Sequence, residues 1–150
     1  MYNHKNIKQV PIEVVSSLTT TTTTTTTTKA PFSISLSSWV TNNTGNLSDF
    51  TLTNKNYRRN GGTWTALPGS MMSNETLDVE VTVTVAVGKT VYMQINARKN
   101  GKSGTILSSS AQYGPIVNGS PQTLYLYNIP LSSLVSGDTI CIEYVRDLPQ

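Results

Sequence analysis

The chain has 150 residues and a formal net charge of +3, and only 13% of its residues are charged. The basic excess is small and scattered rather than gathered in a stripe with interleaved aromatics, so we do not expect nucleic acid binding. A chain of this length can bury one sizeable core, and no apolar run approaches the roughly 20 residues that a membrane helix needs. We therefore expect one folded domain that binds neither nucleic acid nor a membrane.

Residues 1–18 form a polar, slightly basic arm that becomes apolar towards its end. Pro11 disfavours a helix there, and an extended arm cannot bury enough surface by itself to offset the entropy of ordering. Two interpretations stay open: a frayed tail, or a peptide that becomes ordered by docking on a partner protein. For docking, the candidate anchoring residues are Tyr2, Lys5, Ile7, Lys8, Val10, Ile12 and Val14. The arm has no continuous apolar stretch, so we expect no secretory signal.

Residues 19–31 are a threonine-rich spacer, in which residues 19–28 are threonine without interruption. Threonine is β-branched, resists helix and favours extended backbone, so the tract spans on the order of 33 Å when fully extended. Either the spacer has no fixed shape, or it is a stalk that holds the following domain away from whatever the arm binds.

Short strand candidates separated by turn-rich sequence fill the head, residues 32–150. Outside the central pattern described next, they are residues 32–36, 47–53, 62–67, 105–109, 122–129 and 139–145. The stretch from Gly114-Pro115 to Pro121 is predicted to be a loop, and residues 130–137 a turn. No segment has helical periodicity beyond one turn, so the sequence predicts an all-β head, either a sandwich or a closed sheet.

The strongest pattern is residues 77–97, LDVEVTVTVAVGKTVYMQINA, in which apolar and polar side chains alternate. Such alternation places successive side chains on opposite faces of an extended chain. Gly88-Lys89 suits a two-residue hairpin turn, and Asn100-Gly101 suits a second one. The predicted hairpin has an apolar face made of Val79, Val81, Val83, Val85 and Val87 in one arm and Val91, Met93, Ile95 and Ala97 in the other. A lone hairpin is marginally stable, so a second sheet must cover this face.

Two stretches carry a family resemblance: TVYMQINARKNG (residues 90–101) and TLYLYNIPLSSLVSGDTICIEYV (residues 123–145). In the first, a strand runs into an Asn-Gly turn; in the second, a strand and a short turn lead through Gly137-Asp138 into the final strand. Residues 77–145 resemble the jelly-roll heads of the tumour-necrosis-factor and complement-globular-domain superfamily, especially those used as phage and viral fibre knobs. The resemblance implies an antiparallel jelly-roll β-sandwich and a homotrimer with the C-terminal strand near the threefold axis.

The residues themselves also favour an oligomer. The last strand is apolar on both faces, so each face must be covered by the sandwich or by a neighbouring copy. Tyrosine and aliphatic side chains at a surface are common in interfaces. The candidate trimer-interface residues are Tyr92, Tyr125, Tyr127, Ile142 and Tyr144. The alternative is a self-contained head.

Groups that support catalysis are sparse. His4 is the only histidine and lies in the arm, so no Ser-His-Asp or Cys-His arrangement can form in the head. Cys141 is the only cysteine and lies in an apolar strand, where we expect a small buried residue rather than a nucleophile. We interpret Asp138 as a turn former and expect no enzyme, cofactor or metal.

The order of parts, a basic arm, an extended spacer and a β-head, predicts a non-enzymatic structural virion protein. We expect a phage head fibre or capsid decoration, made in the host cytoplasm, placed on the capsid surface and bound through its arm to the major capsid protein or another virion protein. The main alternative is an adhesin or fibre tip that binds a cell-surface glycan. Its candidate contacts are Tyr57, Arg58, Trp64 and Tyr113, with Arg59 beside them. A cytokine-like secreted ligand is a third interpretation, disfavoured because no secretory signal is expected.

Overall fold

The computed structural model describes residues 11–14 and 29–147 of the chain. Residues 29–147 contain ten strands, one 3-10 turn at Leu47–Asp49 and no α-helix. The strands are β1 (Ser33–Asn42), β2 (Phe50–Arg59), β3 (Thr65–Ala66), β4 (Gly69–Met72), β5 (Leu77–Val85), β6 (Thr90–Lys99), β7 (Ile106–Ser109), β8 (Tyr113–Val117), β9 (Gln122–Ile129) and β10 (Thr139–Asp147). The predictions for the threonine tract and for most of the arm fall outside the described residues.

The strands form two sheets, which confirms the predicted all-β sandwich. In the six-stranded sheet the order is β4-β1-β10-β6, and both β7 and β8 pair with β6. In the four-stranded sheet the order is β3-β2-β5-β9. The inner faces of both sheets contribute to one core, in which Ile34, Val81, Ile95, Leu124 and Ile142 are completely buried.

The predicted hairpin over residues 77–97 is wrong in its pairing, although both of its strands exist. β5 pairs with β2 and β9, whereas β6 pairs with β10, β7 and β8 in the other sheet. Between them Ala86 to Lys89 make a turn in which Lys89 N–H donates to Ala86 O at 3.1 Å and Gly88 has a φ of 72°. The two apolar faces therefore meet across the core. Val87 lies in the turn and is 87% exposed, so its place on the apolar face was also predicted wrongly.

One strand pairing differs from an antiparallel jelly roll. Seven of the eight pairings between described strands are antiparallel, but β1 runs parallel to β10, with Leu36 opposite Ile140 and Val40 opposite Tyr144. Parallel strands need a long connection, and nearly the whole head lies between these two in sequence. As a result, β1 and β10 begin at the same end of the sandwich, which we call the base. Both strands finish at the opposite end, which we call the tip.

Several predicted strand boundaries are wrong. The first strand continues past Leu36 to Asn42, and the second begins as the 3-10 turn before it extends to Arg59. Of residues 62–67, only Thr65–Ala66 form a strand. The stretch at Gly114-Pro115, predicted as a loop, belongs to β8 because it extends the six-stranded sheet beside β6.

Other local predictions are confirmed. β9 has the predicted bounds, and Asn100 and Gly101 have positive φ values of 60° and 96° in the connection between the paired strands β6 and β7. Asp138 closes the turn before β10, since its N–H donates to Val135 O and its carboxylate accepts from Val135 N–H. Gly and Asn at positive φ and an Asp side chain that caps its own turn are local effects, which explains why sequence alone identifies them.

Candidate functional site

Reactive groups do not cluster in the part of the chain that the structure describes. Among those residues, no three His, Cys, Asp or Glu side chains are placed to hold a metal ion. None of their helical segments has the length and apolar character to cross a membrane. Cys141 is a buried free thiol whose sulfur accepts from the Ser37 hydroxyl at 3.1 Å, which agrees with its interpretation as a small buried residue.

Aromatic and charged side chains gather on the outer surface of the four-stranded sheet. We call this cluster the aromatic face and define it as Arg58, Trp64, Asp78, Tyr125 and Tyr127. The Tyr125 and Tyr127 rings are nearly parallel, at 10°, with centroids 5.3 Å apart, and the Trp64 ring lies 6.1 Å from Tyr125. The Arg58 guanidinium lies 4.6 Å from the Trp64 centroid and 5.7 Å from that of Tyr127. Three strands and the β2–β3 loop thus build one connected surface.

Strand alternation explains why these side chains point outward. Leu124 and Leu126 are buried in the core, so Tyr125 and Tyr127, which alternate with them on β9, lie on the opposite side. On β2, Tyr57 points into the core, and its neighbour Arg58 therefore points outward. The β2–β3 connection then brings Trp64 back over the same surface.

Arg58 and Asp78 form the charged centre of the aromatic face. Arg58 Nε donates to Asp78 Oδ2 at 2.9 Å, and the other carboxylate oxygen accepts from the Asn128 N–H at 2.8 Å. Asp78 is buried, so these partners offset the cost of removing its charge from water. Partial burial raises the pKa of Tyr127 above its ordinary value, and the neighbouring Tyr125 adds to this rise.

A row of polar groups continues the same surface beside Tyr125. Asn56 Nδ2 donates to Glu80 Oε1 at 2.8 Å, and Glu80 lies opposite Tyr125 in the β5–β9 register. Two residues further along, the Thr82 and Thr123 hydroxyls meet at 3.2 Å. The surface therefore combines rings that can stack with amide, carboxylate and hydroxyl groups that can form hydrogen bonds.

The loop that carries Trp64 also borders a pocket of about 300 Å³. The pocket is lined by Arg59, Asn60, Gly62, Thr63, Thr65 and Glu75. Arg59 and Glu75 form an ion pair with an N···O distance of 3.6 Å, which balances the charge of the lining.

The predicted glycan contacts are only partly brought together. Arg58 and Trp64 belong to the aromatic face, but Tyr57 is wrong as a contact because its ring is buried and its hydroxyl donates to Ser70 O at 3.1 Å. Tyr113 lies on β8, and its hydroxyl donates to Tyr125 O at 2.6 Å, so it connects the two sheets instead of joining the cluster. Sequence reasoning missed Tyr125 and Tyr127 as partners of Trp64, although the alternation in QTLYLYNI already placed both on one outward surface.

The candidate trimer-interface residues fall in three places. Ile142 and Tyr144 are completely buried in the core of a single chain, so they have no surface left for a sister copy, and their prediction as interface residues is wrong. Tyr92 lies on the outer surface of the six-stranded sheet, where its ring packs over Gly114. Tyr125 and Tyr127 lie on the opposite outer surface. A cyclic trimer joins two different surfaces of each copy, so an interface that includes these tyrosines stays a prediction.

Most candidate anchoring residues cannot be placed. Tyr2, Lys5, Ile7, Lys8 and Val10 lie outside the described residues. Ile12 and Val14 are described, and they are 89% and 85% exposed. The head therefore does not cover these two apolar side chains.

Known proteins offer no identification: no family model, no curated relative and no solved structure matches this chain. The resemblance to tumour-necrosis-factor-like and fibre-knob heads therefore stays a prediction. What the structure establishes is the coarser statement that the head is an all-β sandwich.

Proposed function

We propose that this chain is a non-enzymatic structural protein of a virus particle, a phage head fibre or capsid decoration. Its N-terminal arm binds the major capsid protein or another shell protein, the threonine tract acts as a spacer, and the β-head is displayed from the capsid surface as a homotrimer. The protein is made in the host cytoplasm and incorporated into the virion.

The exposure of Ile12 and Val14 is the main support for an anchoring arm. The head does not bury these two aliphatic side chains, so they gain hydrophobic stabilisation only when a partner protein covers them. An extended segment of alternating apolar residues is suited to docking along a groove or a sheet edge of that partner.

The geometry of the head fits display on a spacer. At the base, Lys29 Nζ donates to Leu134 O at 2.8 Å and lies 4.6 Å from the centroid of the Phe32 ring, so the chain is fixed to the head where the spacer ends. β1 has ten residues and spans roughly 30 Å, which separates this attachment from the tip. Leu47 and Val87 are exposed on two loops at the tip. An anchor at the base therefore leaves the tip and both outer sheet surfaces accessible.

Substitutions at opposite ends of the chain test the anchor. The double variant Ile12→Asp and Val14→Asp should reduce the amount of protein on purified particles at least about tenfold, since it removes apolar contacts equivalent to about 1.4 kcal/mol or more. The matched control is Leu47→Asp with Val87→Asp, two exposed aliphatics at the tip, and it should attach normally. Occupancy is measured by quantitative mass spectrometry of washed particles. Normal attachment of the arm variant would overturn the anchoring role.

A second function, glycan binding by the displayed head, is favoured by the aromatic face. Tyr127 is 48% exposed and the neighbouring Trp64 and Tyr125 rings are partly exposed, and a contiguous aromatic surface of this kind favours an interaction site. An adhesin role and a capsid role can coexist in one fibre.

A further inference from the structure

We propose that the aromatic face binds a neutral saccharide, with Tyr127 and Trp64 stacking on the sugar and the side-chain oxygens of Asn56 and Glu80 accepting hydrogen bonds from its hydroxyls. This inference rests on the glycan-binding function proposed above and adds the site and the ligand class. It also changes the residues that make the contact, since neither Tyr57 nor Tyr113 belongs to this surface.

The rings supply a preformed stacking surface. Tyr125 contacts Trp64 on one side and Tyr127 on the other, so the three rings hold each other in place. Tyr127 is 48% exposed, which makes it the accessible ring of the row. The negative face of an aromatic ring attracts the weakly positive C–H groups on the apolar side of a pyranose ring. A surface that is already ordered loses little entropy on binding.

The charges of the site favour an uncharged ligand. The Arg58 guanidinium is engaged by Asp78 and by two rings, and both Asp78 oxygens accept hydrogen bonds at 2.8–2.9 Å. Arg58, the one cation among the five residues of the aromatic face, is therefore already paired and is less able to bind the carboxylate of an acidic sugar. Glu80 adds a negative charge beside Tyr125, which disfavours anionic ligands further.

The polar neighbours supply directional recognition. Glu80 uses Oε1 to accept from Asn56 Nδ2. Its second carboxylate oxygen, Oε2, has no hydrogen-bond donor among the residues that the structure describes, so it can accept from a ligand hydroxyl. The Asn56 side-chain oxygen is available in the same way. A carboxylate and an amide beside a ring can hold the hydroxyls at the edge of a sugar while the ring contacts its apolar face.

The test uses the full chain and soluble neutral oligosaccharides: maltohexaose, cellohexaose, mannohexaose and chitohexaose, with sialyllactose as the acidic comparison. Binding is followed by calorimetry and saturation-transfer NMR. We expect a dissociation constant of about 1 mM, near −4 kcal/mol, for at least one neutral sugar and weaker binding of sialyllactose. Tyr127→Ala and Trp64→Ala should weaken binding at least about tenfold, whereas Tyr127→Phe keeps the ring and should bind like the parent.

Three controls distinguish a lost sugar contact from unfolding of the variant and from loss of its assembly. Trp39→Phe changes the other tryptophan, on the six-stranded sheet, and should leave binding unchanged. Thermal unfolding verifies that each variant is folded. If Trp64→Ala does not fold, Tyr127→Ala, which changes an exposed side chain, still tests the site. The native mass of Tyr127→Ala should equal that of the parent, because the aromatic face must be open in the assembled protein.

Each other outcome overturns part of the proposal. Absence of binding by every neutral sugar at millimolar concentration would remove both this site and the adhesin function, and leave the capsid role standing. If Tyr127→Ala bound the sugar as tightly as the parent, the aromatic face would not be the binding site, although the protein would still be a glycan-binding protein. Preferential binding of sialyllactose would overturn the neutral ligand class, and loss of assembly in Tyr127→Ala would assign the face to a sister copy.

Discussion

At the scale of single residues, Asp138 shows how a turn former becomes a tertiary contact. Its carboxylate lies 2.8 Å from Lys99 Nζ, accepts from Asn100 Nδ2 at 2.8 Å and accepts from Val135 N–H at 2.7 Å. These contacts tie the turn before β10 to the loop after β6. The Lys99 ammonium, followed by the Asn100 and Val135 donors, lowers the pKa of Asp138 from 3.8 to about 2.

This lowered pKa predicts an acid dependence of stability. The charged form is favoured by folding, so the contribution of Asp138 is complete above its unfolded pKa and is lost as the pH falls from about 4 through 2. Asp138→Asn should therefore be less stable than the parent at pH 7 and should lose less stability between about pH 5 and pH 2. Urea unfolding at each pH measures this. Asp49 and Glu143, whose pKa values are also lowered, keep part of the dependence in the variant.

Two lysine variants test the cause of the lowered pKa of Asp138. Lys99→Met should move the pKa of Asp138 back towards its ordinary value, as measured by carboxyl NMR titration, because it removes the largest stabilising partner. Lys102→Met changes a lysine of the loop that follows β6, whose ammonium lies over Trp39, and it should leave the pKa of Asp138 unchanged. If the unfolding free energies of Asp138→Asn and the parent fell equally between about pH 5 and pH 2, Asp138 would not be a source of the acid dependence.

At the scale of elements, the loop between β6 and β7 is held by a buried polar network. Glu143 on β10 is 5% exposed and accepts from Arg98 Nε at 2.7 Å, from Thr41 Oγ1 at 2.7 Å and from Asn96 Nδ2 at 3.1 Å. Arg98 Nη1 then donates to Gly104 O at 3.0 Å. Burial by itself would raise the pKa of Glu143, but the hydrogen bonds from Arg98, Thr41 and Asn96 together outweigh it and lower this pKa.

Gly104 is expected to be the most sensitive position of this loop. A Cβ there would overlap the backbone carbonyl of Lys99, which cannot move without disturbing the hairpin. Gly104→Ala should therefore cost about 3 kcal/mol of unfolding free energy. At Gly101 a Cβ meets no neighbour, but φ is 96°, so Gly101→Ala should cost only about 1–2 kcal/mol. Urea midpoints distinguish the two, and equal losses would contradict the steric explanation.

At the scale of the whole molecule, the single chain buries both faces of β10 by itself. Ile140, Ile142 and Tyr144 lie in the core, while Cys141 and Glu143 are buried on the other side within the same chain. The double-faced apolar strand therefore gives no independent argument for an oligomer. The argument that is left rests on tyrosines that are at least partly exposed on the outer sheet surfaces, and of these Tyr92 is the one that does not compete with the saccharide site.

The trimer is tested by mass. Three copies of the 16.3 kDa chain have a mass of about 49 kDa, which native mass spectrometry and light scattering resolve from 16.3 kDa. Tyr92→Glu should shift the protein towards the monomer, because a charge buried in an interface is costly. Leu47→Glu at the tip is the matched control and should keep the parent mass. A monodisperse monomer of the parent chain would overturn the homotrimer.

Much of the secondary structure could be predicted because its causes are local. Alternation identified β5, β6 and β9, a continuous apolar run identified β10, and Asn100-Gly101 identified a turn, since each depends on a few consecutive residues. For the candidate site, the sequence supplied Arg58 and Trp64 as glycan contacts and Tyr125 and Tyr127 as surface tyrosines. It did not supply their assembly into one cluster, because β3, β2, β5 and β9 become neighbours only when the sheet forms.

The sequence by itself thus determined that the head is all-β, which side of β5, β6 and β9 is apolar, and that a threonine tract separates the head from a basic arm. Only the tertiary structure decided that β5 and β6 lie in opposite sheets, that β1 runs parallel to β10, and that Tyr57 and Tyr144 point inward. The physical reason is that side-chain alternation fixes the faces of a strand but not its neighbours. Neighbours are chosen by contacts between residues far apart in the chain, which bury the most apolar surface together.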